Sequence, residues 1–125
     1  MSLFLLEEAG SPFSWGVSDC WLLAADWCRA RRGVDPAARV RGRYRTALGA
    51  ARLARRLGGL EAMARADMGR CGLAETSDPH PGDVGLVMDP AAGPLFAVRS
   101  ALGWMARGRR GLALVSFPVI VAWKV

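Results

Sequence analysis

The chain has 125 residues, 52% of them hydrophobic and 22% charged, with 17 Lys and Arg against 11 Asp and Glu for a formal net charge of +6. That length suits one domain, residues 1–125, built on a single core, and the apolar content excludes a disordered tail. The lone histidine, His80, excludes any mechanism that needs two imidazoles, and no apolar run approaches the roughly 18 residues of a membrane span.

Taken in order, Leu3 to Ala9 reads as a short opening helix. Its early acidic pair, Glu7-Glu8, with no basic stretch before it, is unlike a secretory signal. Gly10-Ser11-Pro12 breaks that helix, and Phe13-Ser14-Trp15-Gly16 forms an aromatic-glycine loop. From Asp19 to about Arg32 the apolar residues recur at helical spacing, with Ser18 or Asp19 as N-cap and Gly33 as the stop. Pro36 suits the first position of a second helical segment, Thr46 caps a basic helix to Leu57, and Leu60 to Met68 forms another. Cys71 to Pro81 reads as loop.

After Gly82-Asp83 the period shortens. Strands are expected at Val84–Met88, Leu95–Arg99, Gly103–Arg107, Leu112–Phe117 and Val119–Lys124, the third and fourth joined by a tight turn at Gly108–Gly111. With helices over 1–70 and strands over 82–125, the expected class is α+β on an antiparallel sheet of four or five strands.

Three cysteines, Cys20, Cys28 and Cys71, form no CxxC pair, and one histidine cannot complete a common zinc spacing, so neither metal nor cofactor is expected. The basic charge is arginine apart from Lys124 and is spread along the chain. It suits an anionic neighbour, but nucleic acid is not the favoured partner, because no nucleic-acid motif accompanies it. The five tryptophans serve chiefly as core. Trp21 and Trp27 lie six apart on one helix and cannot share a narrow face, so at least one should meet a loop or a partner. Cys20 falls in the first turn of its helix, where the macrodipole and free N–H groups favour thiolate; packed beneath Trp15 or Trp21, it is instead a small core residue.

Phe13-Ser14-Trp15-Gly16-Val17-Ser18-Asp19-Cys20 resembles the nucleophile segment of NlpC-type, papain-like cysteine peptidases, above all small versions in phage and prophage tail gene clusters. Pro81-Gly82-Asp83-Val84-Gly85-Leu86-Val87 is similar to the family's Pro-Gly-Asp strand, and the end of the chain, Ala122-Trp123-Lys124-Val125, is like that of the tail-associated relatives. The resemblance implies a minimal papain-like domain with Cys20 as nucleophile. It also places the imidazole at the start of the next strand, where this chain has Leu95. His80, ahead of the Gly-Asp strand, is the one alternative base, or else an exposed turn residue. Asp19 and Asp83 either orient an imidazole or act as helix cap and turn former, and Trp15 either lines a glycan groove or packs.

The expectation from these residues is a tail-associated structural or assembly protein on a scaffold that has lost its histidine, made in the host bacterial cytoplasm and carried in the virion tail. Its partners would be other tail or tail-tip proteins. An active peptidoglycan amidase or endopeptidase using Cys20 and His80, and a basic nucleic-acid-binding module, are the competing expectations.

Overall fold

The computed structural model describes residues 13–16, 19–108 and 111–125. The expected opening helix at Leu3–Ala9, its Gly10-Ser11-Pro12 break, Ser18 as a cap and the Arg109-Arg110 turn lie outside the described residues. Among the described residues, three helices, α1 (Cys20–Arg32), α2 (Ala47–Arg56) and α3 (Leu60–Arg70), precede six strands. The strands are β1 (Glu75–Thr76), β2 (Val84–Asp89), β3 (Gly93–Ser100), β4 (Gly103–Gly108), β5 (Gly111–Val115) and β6 (Val119–Trp123). They form one antiparallel sheet in the order β1-β6-β2-β3-β4-β5, so the class is α+β.

Helix α1 starts and stops on local chemistry. The Asp19 carboxylate accepts from the Leu22 N–H at 2.9 Å, and Gly33, at φ 69°, donates its N–H to the Arg29 carbonyl at 3.0 Å. Seven of its residues, from Trp21 to Cys28, are buried, which makes it the central helix of the core. The same core takes Val84, Leu86, Phe96, Val98, Val121 and Trp123 from one face of the sheet, and Leu53, Met63 and Met68 from the other helices.

The opposite face of the sheet gathers a second cluster: Val87, Ala97, Trp104, Ala106 and Ala122. Gly85 is small there for a reason. A Cβ on it would lie 2.6 Å from the Trp104 ring, which rests on the strand at that point.

Two expectations about the elements change. Residues 36–42 form turns rather than a helix. The Asp35 side chain accepts from the Ala37 N–H at 3.0 Å, and Arg41 bridges Asp35 and Asp26, each at 2.7 Å, holding that stretch as a compact loop against α1. Among the described residues the sheet has six strands rather than four or five. Glu75–Thr76, inside the expected loop, pairs with Ala122 and Trp123, and this turns β6 into an interior strand. The apolar run Val119-Ile120-Val121-Ala122-Trp123 fits a strand covered on both faces.

Candidate functional site

Four elements meet at the N-terminal end of α1. The Trp15-Gly16 turn comes first. Gly16 has φ +80°, a conformation that favours glycine, and a Cβ on it would sit 2.1 Å from the Tyr44 carbonyl oxygen. Its N–H donates to Asp19 Oδ2 at 2.9 Å. Asp19 is 0% exposed, and its Oδ2 also accepts from the Tyr44 hydroxyl at 2.5 Å while Oδ1 caps the helix. Three donors therefore engage this buried carboxylate. Its work is to fasten the turn, the helix start and the 36–44 loop together, and no imidazole is among its partners.

Cys20 follows as the first residue of α1. Burial, helped by the Asp19 charge, pushes its thiol from 9.0 up to about 11; the backbone N–H groups of Phe96, Trp21 and Cys20 itself pull the other way and lose. Desolvation here works against the thiolate that a helix start favours, and it exceeds what the helix terminus supplies. Tyr44 is pushed upward as well, by burial and then by its hydrogen bond to Asp19.

A groove of about 270 Å³ opens beside the thiol, lined by Trp15, Asp19, Cys20, Tyr44, Pro94 and Phe96, with the alanine-rich side of α2 opposite. The Trp21 ring is stacked between Tyr44, 5.7 Å away, and Phe96, 6.1 Å away. Leu95 is not in this groove. It packs against the second cluster, across the sheet, and the strand alternation brings Pro94 and Phe96 to the thiol side instead. The residue facing Cys20 from β3 is Phe96, which has no basic atom.

His80 lies elsewhere. Its side chain is 67% exposed, with Nε2 3.8 Å from Asp78 Oδ2. Two rulers set the separation. Trp27, which donates through Nε1 to the Gly82 carbonyl at 2.6 Å, is seven residues along α1 from Cys20, about 10 Å of helix. On the sheet, Gly82 pairs with Arg99, three residues or about 10 Å beyond Phe96. Asp83, buried, accepts from the His80 N–H at 2.8 Å and from the Val125 N–H at 3.1 Å, so it shapes the turn and holds the last residue of the chain. Trp15, Asp19 and Cys20 are brought together; His80 and Asp83 form a separate group about two turns further along the helix.

Tyr44 and Phe96 were not singled out from the sequence. Tyr44 is the only tyrosine of the chain, set among arginines in Arg41-Gly42-Arg43-Tyr44-Arg45, and that isolation was the available signal. Among the described residues, no three His, Cys, Asp or Glu side chains gather as a metal site, and no helix is long and apolar enough to cross a membrane.

Residues 2–125 match the model of a domain of unknown function, DUF6950, and the chain belongs to that family. No curated protein and no solved structure matches it.

Proposed function

We propose that this chain is a non-hydrolytic, papain-like scaffold that serves as a structural or assembly component of a phage or prophage tail. One observation carries the loss of hydrolysis. The thiol at the nucleophile position is pushed up to about 11 and faces Phe96 and Pro94, whereas the lone imidazole of the chain is exposed on the loop that Trp27 holds two turns along the helix. Cysteine hydrolysis needs a thiolate with a base within about 2.6–3.2 Å. The tail context rests on the likeness of Phe13–Cys20 and Pro81–Val87 to the tail-associated NlpC-type segments. In that setting the retained groove and the arginine-rich surface serve contacts with neighbouring tail proteins, with the protein made in the host cytoplasm and built into the virion.

The test is complementation in an inducible prophage that encodes the chain. Deleting the gene should leave tails incomplete, Cys20→Ala should restore them, and purified tails should contain the protein. Turnover of peptidoglycan by the purified protein, abolished by Cys20→Ala, would replace this reading with a hydrolase. Complete tails without the protein, together with DNA binding that weakens steeply with salt, would replace it with a nucleic-acid module.

A further inference from the structure

We propose that β5 is a self-association edge that pairs antiparallel with β5 of a second copy of this chain. This rests on the sheet edge alone and is independent of the groove at Cys20. Strand β5 ends the sheet, and among the described residues nothing pairs with its outer side. Its sequence, Gly111-Leu112-Ala113-Leu114-Val115, has no charge and no proline. Edge strands are ordinarily protected by such residues or by being very short. The opposite edge has both protections: β1 is two residues long, and the groove beside it contains Arg65, Glu75 and Pro79.

The hydrogen-bond pattern of β5 says what fits. Gly108 pairs with Gly111 across a two-residue connection, which makes it a hydrogen-bonded pair, and by alternation so are Ala106↔Ala113 and Trp104↔Val115. Leu112 and Leu114 therefore point their N–H and C=O groups outward. They are placed symmetrically about Ala113. A second β5, running antiparallel about a two-fold axis at Ala113, sets Leu112 of each copy opposite Leu114 of the other. All four outward groups of each strand are then satisfied, and a small residue meets its own copy at the close, non-hydrogen-bonded position. Leu114 is 52% exposed, with its Cδ2 over Gly103 at the start of β4, and it loses water exposure in such a pair.

A five-residue edge is about 17 Å long, short of what an interface of roughly 1,600 Å² requires, so the dimer is weak. Sedimentation equilibrium of the full chain should show the 13.4 kDa protomer at about 10 µM and mass rising toward twice that by about 1 mM. Association should strengthen with salt, because each copy carries a formal charge of +6. The double variant L112K/L114K should stay monomeric throughout, and Leu48→Lys, on the exposed side of α2, should not. A wild-type measurement stands apart from any folding defect in the variant. Amide exchange at Leu112 and Leu114 should slow at least tenfold between the lowest and highest concentrations, while that at Ala113 stays protected at both. A monomer at every concentration, or Leu112 and Leu114 amides that exchange equally at all of them, overturns the proposal.

Discussion

At its first turn α1 carries a thiol and a carboxylate enclosed by Trp15, Tyr44 and Phe96; two turns later it carries Trp27, whose indole holds the Gly82 carbonyl beneath an exposed His80. Each end is tied down, but by different means. The first end commits a buried carboxylate to three donors and leaves its cysteine protonated. The second fixes a loop through one indole N–H and one aspartate, with the imidazole left in solvent. The chemical pieces of a thiol–imidazole pair are thus both present and kept apart by about 10 Å of helix. What separates them is the Trp27–Gly82 bond and the pairing of Gly82 with Arg99, neither of which involves the thiol or the imidazole.

The largest effect is expected at the first end. Gly16→Ala puts a Cβ at 2.1 Å from the Tyr44 carbonyl in a left-handed conformation, so the turn must move and the Gly16–Asp19 bond is lost. Destabilisation of more than about 3 kcal/mol by urea unfolding is expected. A change under about 1 kcal/mol would mean the turn is not fastened as described.

Next in size is the response to alkali, which compares the thiol at the first end with one further along the helix. Burial raises Cys20 to about 11 and Cys28, in the middle of α1, to about 12. Both folded values lie above the ordinary 9.0, so the unfolded chain releases these protons first. Stability is then whole below pH 9 and falls as pH rises toward the folded values, by roughly 1.4 kcal/mol per thiol for each pH step of one. Chemical unfolding at stepped pH should show the loss, with Cys20→Ala and Cys28→Ala each making the fall between pH 9 and 11 shallower, while Tyr44, raised above its ordinary 10.0, adds to the fall above pH 10 in every variant. A flat profile between pH 9 and 11 in the wild-type protein would contradict the burial of the first end.

The helix and its ends were legible because their signals are local. Asp19 and Gly33 cap where composition places them, and the paired tryptophans do divide, with Trp27 meeting a loop. What escaped was non-local. The two-residue β1 has no periodicity to detect and exists only because Trp123 and Ala122 are beside it. The choice between Leu95 and Phe96 as the residue facing Cys20 is a matter of strand parity, and one residue of register exchanges the faces of a sheet. The thiol's protonation is likewise set by groups distant in sequence. A helix start favours thiolate, and only the packing of Phe96 and the 36–44 loop shows that desolvation wins.

The second end is expected to give a smaller change. Trp27→Phe keeps most of the buried ring and removes the donor to the Gly82 carbonyl, at a cost of about 1–2 kcal/mol. Its readout beyond stability is the loop that carries His80, which should gain mobility, measured as faster amide exchange at Gly82 and Asp83. Unchanged exchange there would assign the position of the loop to the Arg99 pairing alone.

The smallest effect tests strand parity itself, through the rate at which iodoacetamide labels Cys20. Phe96→His places an imidazole on the thiol side of β3, where it can share the thiol's proton and favour thiolate. Leu95→His places it across the sheet, beside Val87 in the second cluster. With Cys28→Ala and Cys71→Ala as background, Phe96→His should label about tenfold faster at pH 7, as a tenfold larger thiolate fraction requires. Leu95→His should label at the background rate. Urea unfolding of both variants separates a true effect on the thiol from local opening, since opening would speed the labelling of whichever variant is less stable. If Leu95→His is the faster one at equal stability, Leu95 and not Phe96 faces the thiol, and the face of β3 that meets α1 is the other one.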